Sequence, residues 1–324
     1  MAASASLYLG IDLGGTKILA LVGTDDGNTL GESLTSTPTS ASPEAVAEAM
    51  ASAAMDAVQQ AGVDLTSIVG VGVAAAGGIQ PSTGVVVESP NVSSLTGHSL
   101  VDLLRKHFSQ PIVVVNDANA AALAEHRFGA GQGVANLLYM TVSTGIGGGI
   151  IINGELYQGS HGFAAEVGHI TVAANGPVCQ CGRHGCLETM ASGTALAREA
   201  KARLVAGERS VLQALVKREG PDSITAERVF EALAQNDTLA RAVVEQGSFY
   251  LGIGLKSLVN VLDPDRIVIG GGLSNQWESY IAPAVDIMRE QAFANMGKDL
   301  PVVPPALGVQ TGALGAIAVA ASAG

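Results

Sequence analysis

The chain has 324 residues, 48% of them hydrophobic and 14% charged, with a formal net charge of −12 at pH 7. A chain this apolar is not disordered, and its length suits a large core split over two domains better than one. The acidic balance, with no run of more than two Lys or Arg, excludes the counterion-release grip of a nucleic-acid binder.

The opening residues MAASASLYLGIDLGG lack a basic segment, and Asp12 interrupts their apolar stretch, so they are not read as a signal peptide. YLGIDLGGTKILALVG reads as two short strands joined by a glycine turn, a β-hairpin with Asp12 at the end of its first strand. Ser42-Pro43-Glu44 then supplies an N-cap, a proline at the first helical position and an early acid, and predicts a helix through the Ala-rich run to Ala61. Residues 68–75 and 112–116 are short β-branched runs expected as buried strands, the second followed by a helix from about Ala118 to Arg127. Strands alternating with helices predict an α/β architecture.

Residues 136–143 predict another strand, and TGIGGGIIING continues as a glycine turn into the next. Two strand-glycine-strand units suggest two related domains that each offer a phosphate-binding turn. Residues 191–260 are expected to be mainly helical, and 266–272 (RIVIGGG) to be the last strand. The domains, without a Pro- or Ser-rich linker, are expected to meet at a hinge with a cleft between them. The late apolar run 313–323 is too short to span a bilayer. A reducing, cytoplasmic setting without a membrane partner is therefore expected, and there clustered cysteines are metal ligands more often than disulfides.

In DLGGTK, Gly14 and Gly15 let backbone N–H groups approach phosphate oxygens, Thr16 adds a hydroxyl, Lys17 a cation, and Asp12 a carboxylate for magnesium. This is not a Walker A loop, and alone it is explained equally well by an ordinary hairpin turn. The second turn, around Thr144 and Gly145, shifts the balance. A dinucleotide fingerprint would open a helix, whereas Ile150–Ile152 continue a strand, so a nucleotide phosphate held between two hairpins fits better. Asp117 sits where a buried strand hands over to a helix and is a candidate general base, with Asn116 beside it as a hydroxyl-binding amide; simple N-capping is the competing explanation.

All three cysteines, Cys179, Cys181 and Cys186, fall in CQCGRHGCLE. With His169 they make a three-thiolate, one-imidazole set for tetrahedral zinc. Four protein ligands leave no open position, so the zinc is expected to be structural rather than hydrolytic; incidental free thiols are the alternative. Such a metal would tether Glu166 and Glu188, and carboxylates with Asn116 suit a polyhydroxylated ligand. His126, Trp277 and Met190 are read as structural.

These motifs resemble the ROK family of repressors and sugar kinases over nearly the whole chain: DLGGTK at 12–17, GVAAAGG at 72–78, SPN at 89–91, NDANAAALAE at 116–125, TGIGGGI at 144–150, AAEVGH at 164–169, CQCGRHGCLE at 179–188 and GGG at 270–272. The resemblance implies an actin-like (ribonuclease H-like) two-domain α/β ATPase fold with a cleft between its domains. The small domain would be residues 1–117 plus about 309–324, and the large domain, carrying the zinc site, 118–308. Asp117 matches the catalytic base; Gly77, Asn91, Asn116, Glu166, His169 and Glu188 match sugar contacts, His169 doubling as a zinc ligand. Asp12, Gly14, Gly15, Thr16, Lys17, Thr144 and Gly145 match phosphate or magnesium contacts, and Gly271 and Gly272 the adenosine side. The chain departs from the family in having Ala76 where a proline is usual, Gln80 where an acid is, and Ala165 in place of the glycine of Ala-Gly-Glu. It also lacks a tryptophan after Asn91 that many glucokinases of the family carry.

The resemblance implies transfer of the γ-phosphoryl of ATP, with magnesium, to the 6-hydroxyl of a hexose, glucose first. An N-acetylmannosamine or N-acetylglucosamine kinase is the alternative within the class. A sugar-responsive repressor would carry a helix-turn-helix ahead of the core, and only eleven residues precede Asp12, so an enzyme is expected. Family members are commonly dimers or tetramers, and a homo-oligomer is expected here.

Overall fold

The computed structural model describes residues 6–89 and 91–323. Residues 1–5, part of the segment read above as no signal peptide, Pro90 of the SPN motif, and Gly324 lie outside the described residues. In chain order the strands and helices are β1 (Leu7–Leu13), β2 (Lys17–Thr24), β3 (Thr29–Ser36), α1 (Pro43–Ala61), β4 (Ile68–Ala75), β5 (Gly78–Gln80), β6 (Val85–Glu88), α2 (Leu100–Leu104), β7 (Ile112–Asn116), α3 (Asp117–Phe128), β8 (Leu137–Val142), β9 (Ile146–Ile152) and β10 (Glu155–Leu156). There follow α4 (Leu187–Ala191), α5 (Gly193–Val205), α6 (Leu212–Glu219), α7 (Ala226–Ala234), α8 (Thr238–Leu262), β11 (Arg266–Gly270), α9 (Ala282–Gln291), β12 (Val302–Val303) and α10 (Thr311–Ser322).

Two five-stranded sheets, ordered β3-β2-β1-β4-β7 and β10-β9-β8-β11-β12, carry the architecture. In the first, β1 and β2 are the expected antiparallel hairpin and β4 and β7 add in parallel. Alternation sorts its residues: Leu9, Ile11, Val71 and Val73 join a core with Val46, Met50 and Ala54 of α1. α1 starts as its sequence dictates, the Ser42 side chain accepting from the Ala45 N–H, and ends at Gly62 with φ 66°. The other sheet face combines Gly10 and Gly72 with Leu19 and Leu21, and α10 lies directly on it. A Cβ on Gly72 would fall 1.8 Å from the Ala316 carbonyl oxygen, and one on Gly10 2.2 Å from that of Ala313. The glycines therefore set how closely α10 approaches the sheet.

Contacts divide the chain into two compact units: the residues up to Tyr139 with Gly149–Ala165 and those from Pro305 on, and Met140–Gly148 with Glu166–Pro304. The division passes through β8 and β9, away from the expected boundary at 117/118. The reason is packing: α3 lies along α10, where a Cβ on Gly315 would come 2.0 Å from the Ala120 carbonyl oxygen. Glu125, fully buried on α3, also accepts from the backbone N–H groups of Ala130, Ala306 and Leu307.

Two further expectations are corrected. The strand expected over 266–272 ends at Gly270, because Gly271 turns to φ 86°, and it is not the last, since β12 pairs with it in parallel. The turn expected through Gly149 is shorter, for Gly147–Gly149 belong to β9. Gly149 is needed there for space, as its Cβ would meet that of Ala122 on α3 at 2.4 Å. Among the described residues no helix is long and apolar enough to cross a membrane.

Candidate active site

In the first unit the β1–β2 turn is closed by the Gly14 N–H donating to the Lys17 carbonyl at 2.9 Å. Its other carbonyls are tied back to Thr37, whose hydroxyl donates to Gly14 at 2.8 Å and whose N–H donates to Thr16 at 3.0 Å. The N–H groups of Gly15 and Thr16 donate to no described group. Free amides beside anchored carbonyls form a concavity suited to phosphate oxygens. Asn91 packs on the turn, its Cβ and Cγ 2.9 Å from where a Gly15 Cβ would stand, and Lys17 is exposed at the start of β2.

Asp12, next to last in β1, lies against α10, where a Cβ on Gly312 would lie 2.3 Å from its Oδ2. Burial, and after it the charge of Asp117, push Asp12 up to about 7 from the usual 3.8. Two carboxylates in electrostatic reach, one of them poorly solvated, are relieved by a divalent cation, and oxygen donors suit magnesium. Asp117 is the first residue of α3, at the end of β7. Asn116 is the N-cap: its Oδ1 accepts from Ala118 at 2.9 Å and Asn119 at 3.2 Å, and its Nδ2 donates to Gly77 at 3.0 Å. Capping thus occupies Asn116's oxygen and leaves part of its amide for a ligand, while Gly77 takes φ 103° to present its carbonyl.

In the second unit the turn between β8 and β9 repeats this pattern. The Ser143 carbonyl accepts from the Gly193 N–H at 2.7 Å and the Thr144 carbonyl from the Thr194 hydroxyl at 2.8 Å, both at the start of α5. The N–H groups of Thr144 and Gly145 donate to no described group, whereas that of Ile146 donates to Glu188 Oε2 at 2.9 Å. Gly271 and Gly272 border the same turn: Cβ atoms there would lie 2.5 Å from the Val142 carbonyl oxygen and 3.4 Å from the Ser143 hydroxyl. Gly168, between Glu166 and His169, backs onto the Ile146 carbonyl at 2.0 Å by the same measure.

The ligand atoms of His169, Cys179, Cys181 and Cys186 all lie within 4.8 Å of one another. His169 Nδ1 is 3.7 Å from Cys179 Sγ, and Cys181 Sγ is 3.6 Å from Cys186 Sγ. A tetrahedral ion with Zn–S of about 2.3 Å separates its ligands by about 3.5–3.8 Å, so the set fits zinc. A small loop builds it. Val178 bridges His184, Thr171 bridges Cys186, and Gly185 at φ 64° has no room for a Cβ, which would lie 1.6 Å from the Ala173 carbonyl oxygen. His169 Nε2 points to Glu166 at 4.0 Å, and α4 starts immediately after Cys186 to carry Glu188. Burial and the neighbouring thiols push the Cys186 thiol up to about 12. A bound cation would reverse that preference.

Sequence reasoning missed the residues that hold these parts: Thr37 and Thr194 behind the turns, Glu125, and Gly312 against Asp12. Each acts through tertiary contact and none has a local pattern; only the Thr-Gly pair opening α10 echoes the other turns. Ala165 stands at φ 69°, where its methyl group costs about 1 kcal/mol and the family's usual glycine would be unstrained.

A base candidate at a strand–helix junction, an acid pair for a cation and two amide-lined turns are the equipment of a phosphoryl-transfer enzyme, here on the actin-like fold of sugar kinases. The ROK family model matches residues 8–323, and the chain belongs to the ROK family. It is 39% identical to a glucokinase of Streptomyces coelicolor over 86% of this chain and 85% of that one. Among solved structures, a ROK hexokinase from Thermus thermophilus superposes with a TM-score of 0.83 at 36% identity, covering 98% of each chain. A ROK family glucokinase from Streptomyces griseus, in complex with glucose and AMPPNP, gives 0.79 at 35% identity, covering 98% of this chain and 99% of that one.

Proposed function

We propose that this protein is a glucokinase, transferring the γ-phosphoryl group of ATP to the 6-hydroxyl of glucose. The observation that carries the reading is Asp117, placed at the end of β7 within electrostatic reach of Asp12 and on the same unit as the first amide-lined turn. Asp117 would take the hydroxyl proton as attack proceeds, a contribution of about 10²–10⁴-fold. The free amides of Gly15, Thr16, Thr144 and Gly145 would hold phosphate oxygens, with Gly14 and Lys17 completing the first turn and Gly271 and Gly272 facing the adenosine. Magnesium, held by Asp12, would neutralise phosphate charge. Gly77, Asn91, Asn116, Glu166, His169 and Glu188 would bind the sugar hydroxyls.

Zinc on His169, Cys179, Cys181 and Cys186 would do no chemistry; it would keep Glu166 and Glu188 in register. The choice of glucose is supported by the Streptomyces relatives, one of which holds glucose and an ATP analogue in its structure. By the same resemblance we place the protein in cytoplasmic carbohydrate metabolism, feeding glycolysis, as a dimer or tetramer without nucleic acid. An ADP-release assay over glucose, mannose, N-acetylmannosamine, N-acetylglucosamine and xylose, with zinc measured on the same sample, tests the reading. Glucose should give the highest kcat/KM; an N-acetylhexosamine in first place, or glucose binding without ADP release, would overturn it.

A further inference from the structure

In the second unit, the side chain expected to meet the sugar also holds the turn expected to meet the nucleotide. Glu188 is half-buried, and its Oε2 accepts the Ile146 N–H at 2.9 Å. The same oxygen lies 2.4 Å from where a Cβ on Gly145 would stand, so the carboxylate is seated directly on the turn. Its Oε1 takes no hydrogen bond from any described residue. The carboxylate therefore has one committed oxygen and one available oxygen. The carbonyl side of the turn is anchored separately by Gly193 and Thr194 of α5. Among the described residues Glu188 supplies the only side-chain brace on the amide side next to the two free N–H groups.

We infer that Glu188 is a positioning residue for nucleotide binding as well as a sugar contact: through Ile146 and Gly145 it fixes the direction in which the Thr144 and Gly145 amides point. This deepens the proposed kinase reading and rests on it. Oriented amides bind an anion only while their direction is held. Gly145 has no positive φ to require glycine. Its need for glycine comes from the Glu188 carboxylate, so the two residues should be energetically coupled.

The test is calorimetric titration of the intact protein with AMPPNP in the absence of sugar, on variants whose folding is checked by circular dichroism. Glu188→Ala should weaken AMPPNP binding about tenfold or more, the loss expected for a broken hydrogen bond to a charged group. Glu188→Met, which keeps the bulk and lacks an acceptor oxygen, should do the same and serves if the alanine variant does not fold. Glu188→Gln retains an oxygen for Ile146 and should stay within about twofold of wild type for AMPPNP while losing about tenfold for glucose, where an amide replaces the acceptor. Gly145→Ala should weaken AMPPNP binding in the wild type and add little in the Glu188→Ala background. Unchanged AMPPNP affinity in both Glu188→Ala and Glu188→Met, or equal penalties from Gly145→Ala in both backgrounds, overturns the inference and leaves the kinase reading standing. A wild-type protein that binds no AMPPNP overturns the kinase reading itself.

Discussion

The β1–β2 turn and the β8–β9 turn solve one problem with different supports. Both tie their carbonyls back to a threonine, Thr37 in one and Thr194 in the other, and both leave consecutive N–H groups without an acceptor among the described residues. The first is flanked by acids that repel each other, Asp12 and Asp117, with α10 packed against Asp12. The second is braced by Glu188 on a helix that begins immediately after Cys186 of the cysteine–histidine cluster. One turn thus stands beside a mutually repelling acid pair and the other beside the cysteine–histidine loop. Similar backbone shape does not imply the same chemistry; the side chains around each turn decide what it can hold.

The largest expected effect breaks the first turn's chemistry alone. Asp117→Asn keeps the volume and the start of α3 and removes the base, so kcat should fall about a hundredfold or more while glucose affinity by calorimetry stays within a few-fold. Turnover near wild type would show that Asp117 is only part of a helix start. Next in size is loss of the second turn's support. Cys181→Ser should release zinc, measured by metal analysis, and weaken glucose binding about 10–100-fold, the usual cost of disturbing the groups that orient a site. Zinc loss with unchanged glucose affinity would separate the metal from Glu166 and Glu188.

The contrast between the turns also shows what was legible in the sequence. α1, β4 and β7 fall where capping and β-branched runs place them, to the residue, because local chemistry determines them. The cysteine–histidine cluster was legible from spacing, and its sulfurs and imidazole do converge. The unit boundary was not legible, since it depends on α3 finding α10 nearly two hundred residues later through Gly315 and Glu125. Nor was Asn116's double use as cap and Gly77 partner, because an Asn before a helix looks the same in sequence whether or not its amide has a second task. The Glu188 brace had no local trace, since Glu188 lies 42 residues from Ile146, whose N–H it accepts.

A smaller effect sharpens the electrostatic half of the comparison. Asp12 is raised to about 7 in the folded protein from 3.8, so folding favours its neutral form. The stability that this group contributes is fully present below about pH 4 and is lost as pH rises through about 7. Without magnesium, Asp12→Asn should therefore match wild type in melting temperature near pH 4. It should exceed wild type at pH 8 by several degrees, on the order of 2–4 kcal/mol. Magnesium with AMPPNP should narrow that gap by binding the ionised wild-type site. A pH-independent difference would mean that Asp12 is not the titrating group.

The smallest effect compares the two threonine anchors directly. Thr37→Val and Thr194→Val each remove one hydroxyl donor to a turn carbonyl, at 2.8 Å in both cases, and keep the branched shape. Each should cost about 0.5–1.5 kcal/mol of stability in chemical denaturation. Their effects on nucleotide affinity should differ. The second turn keeps Glu188 on its amide side and the Gly193 and Thr194 N–H groups on its carbonyl side, at 2.7 and 3.3 Å. Among the described residues, the first has the Thr37 N–H and its own closing bond from Gly14 to Lys17. Thr37→Val should therefore weaken AMPPNP binding more than Thr194→Val does. In a Glu188→Ala background the two penalties should converge, because the second turn would then lean on Thr194 more nearly as the first leans on Thr37.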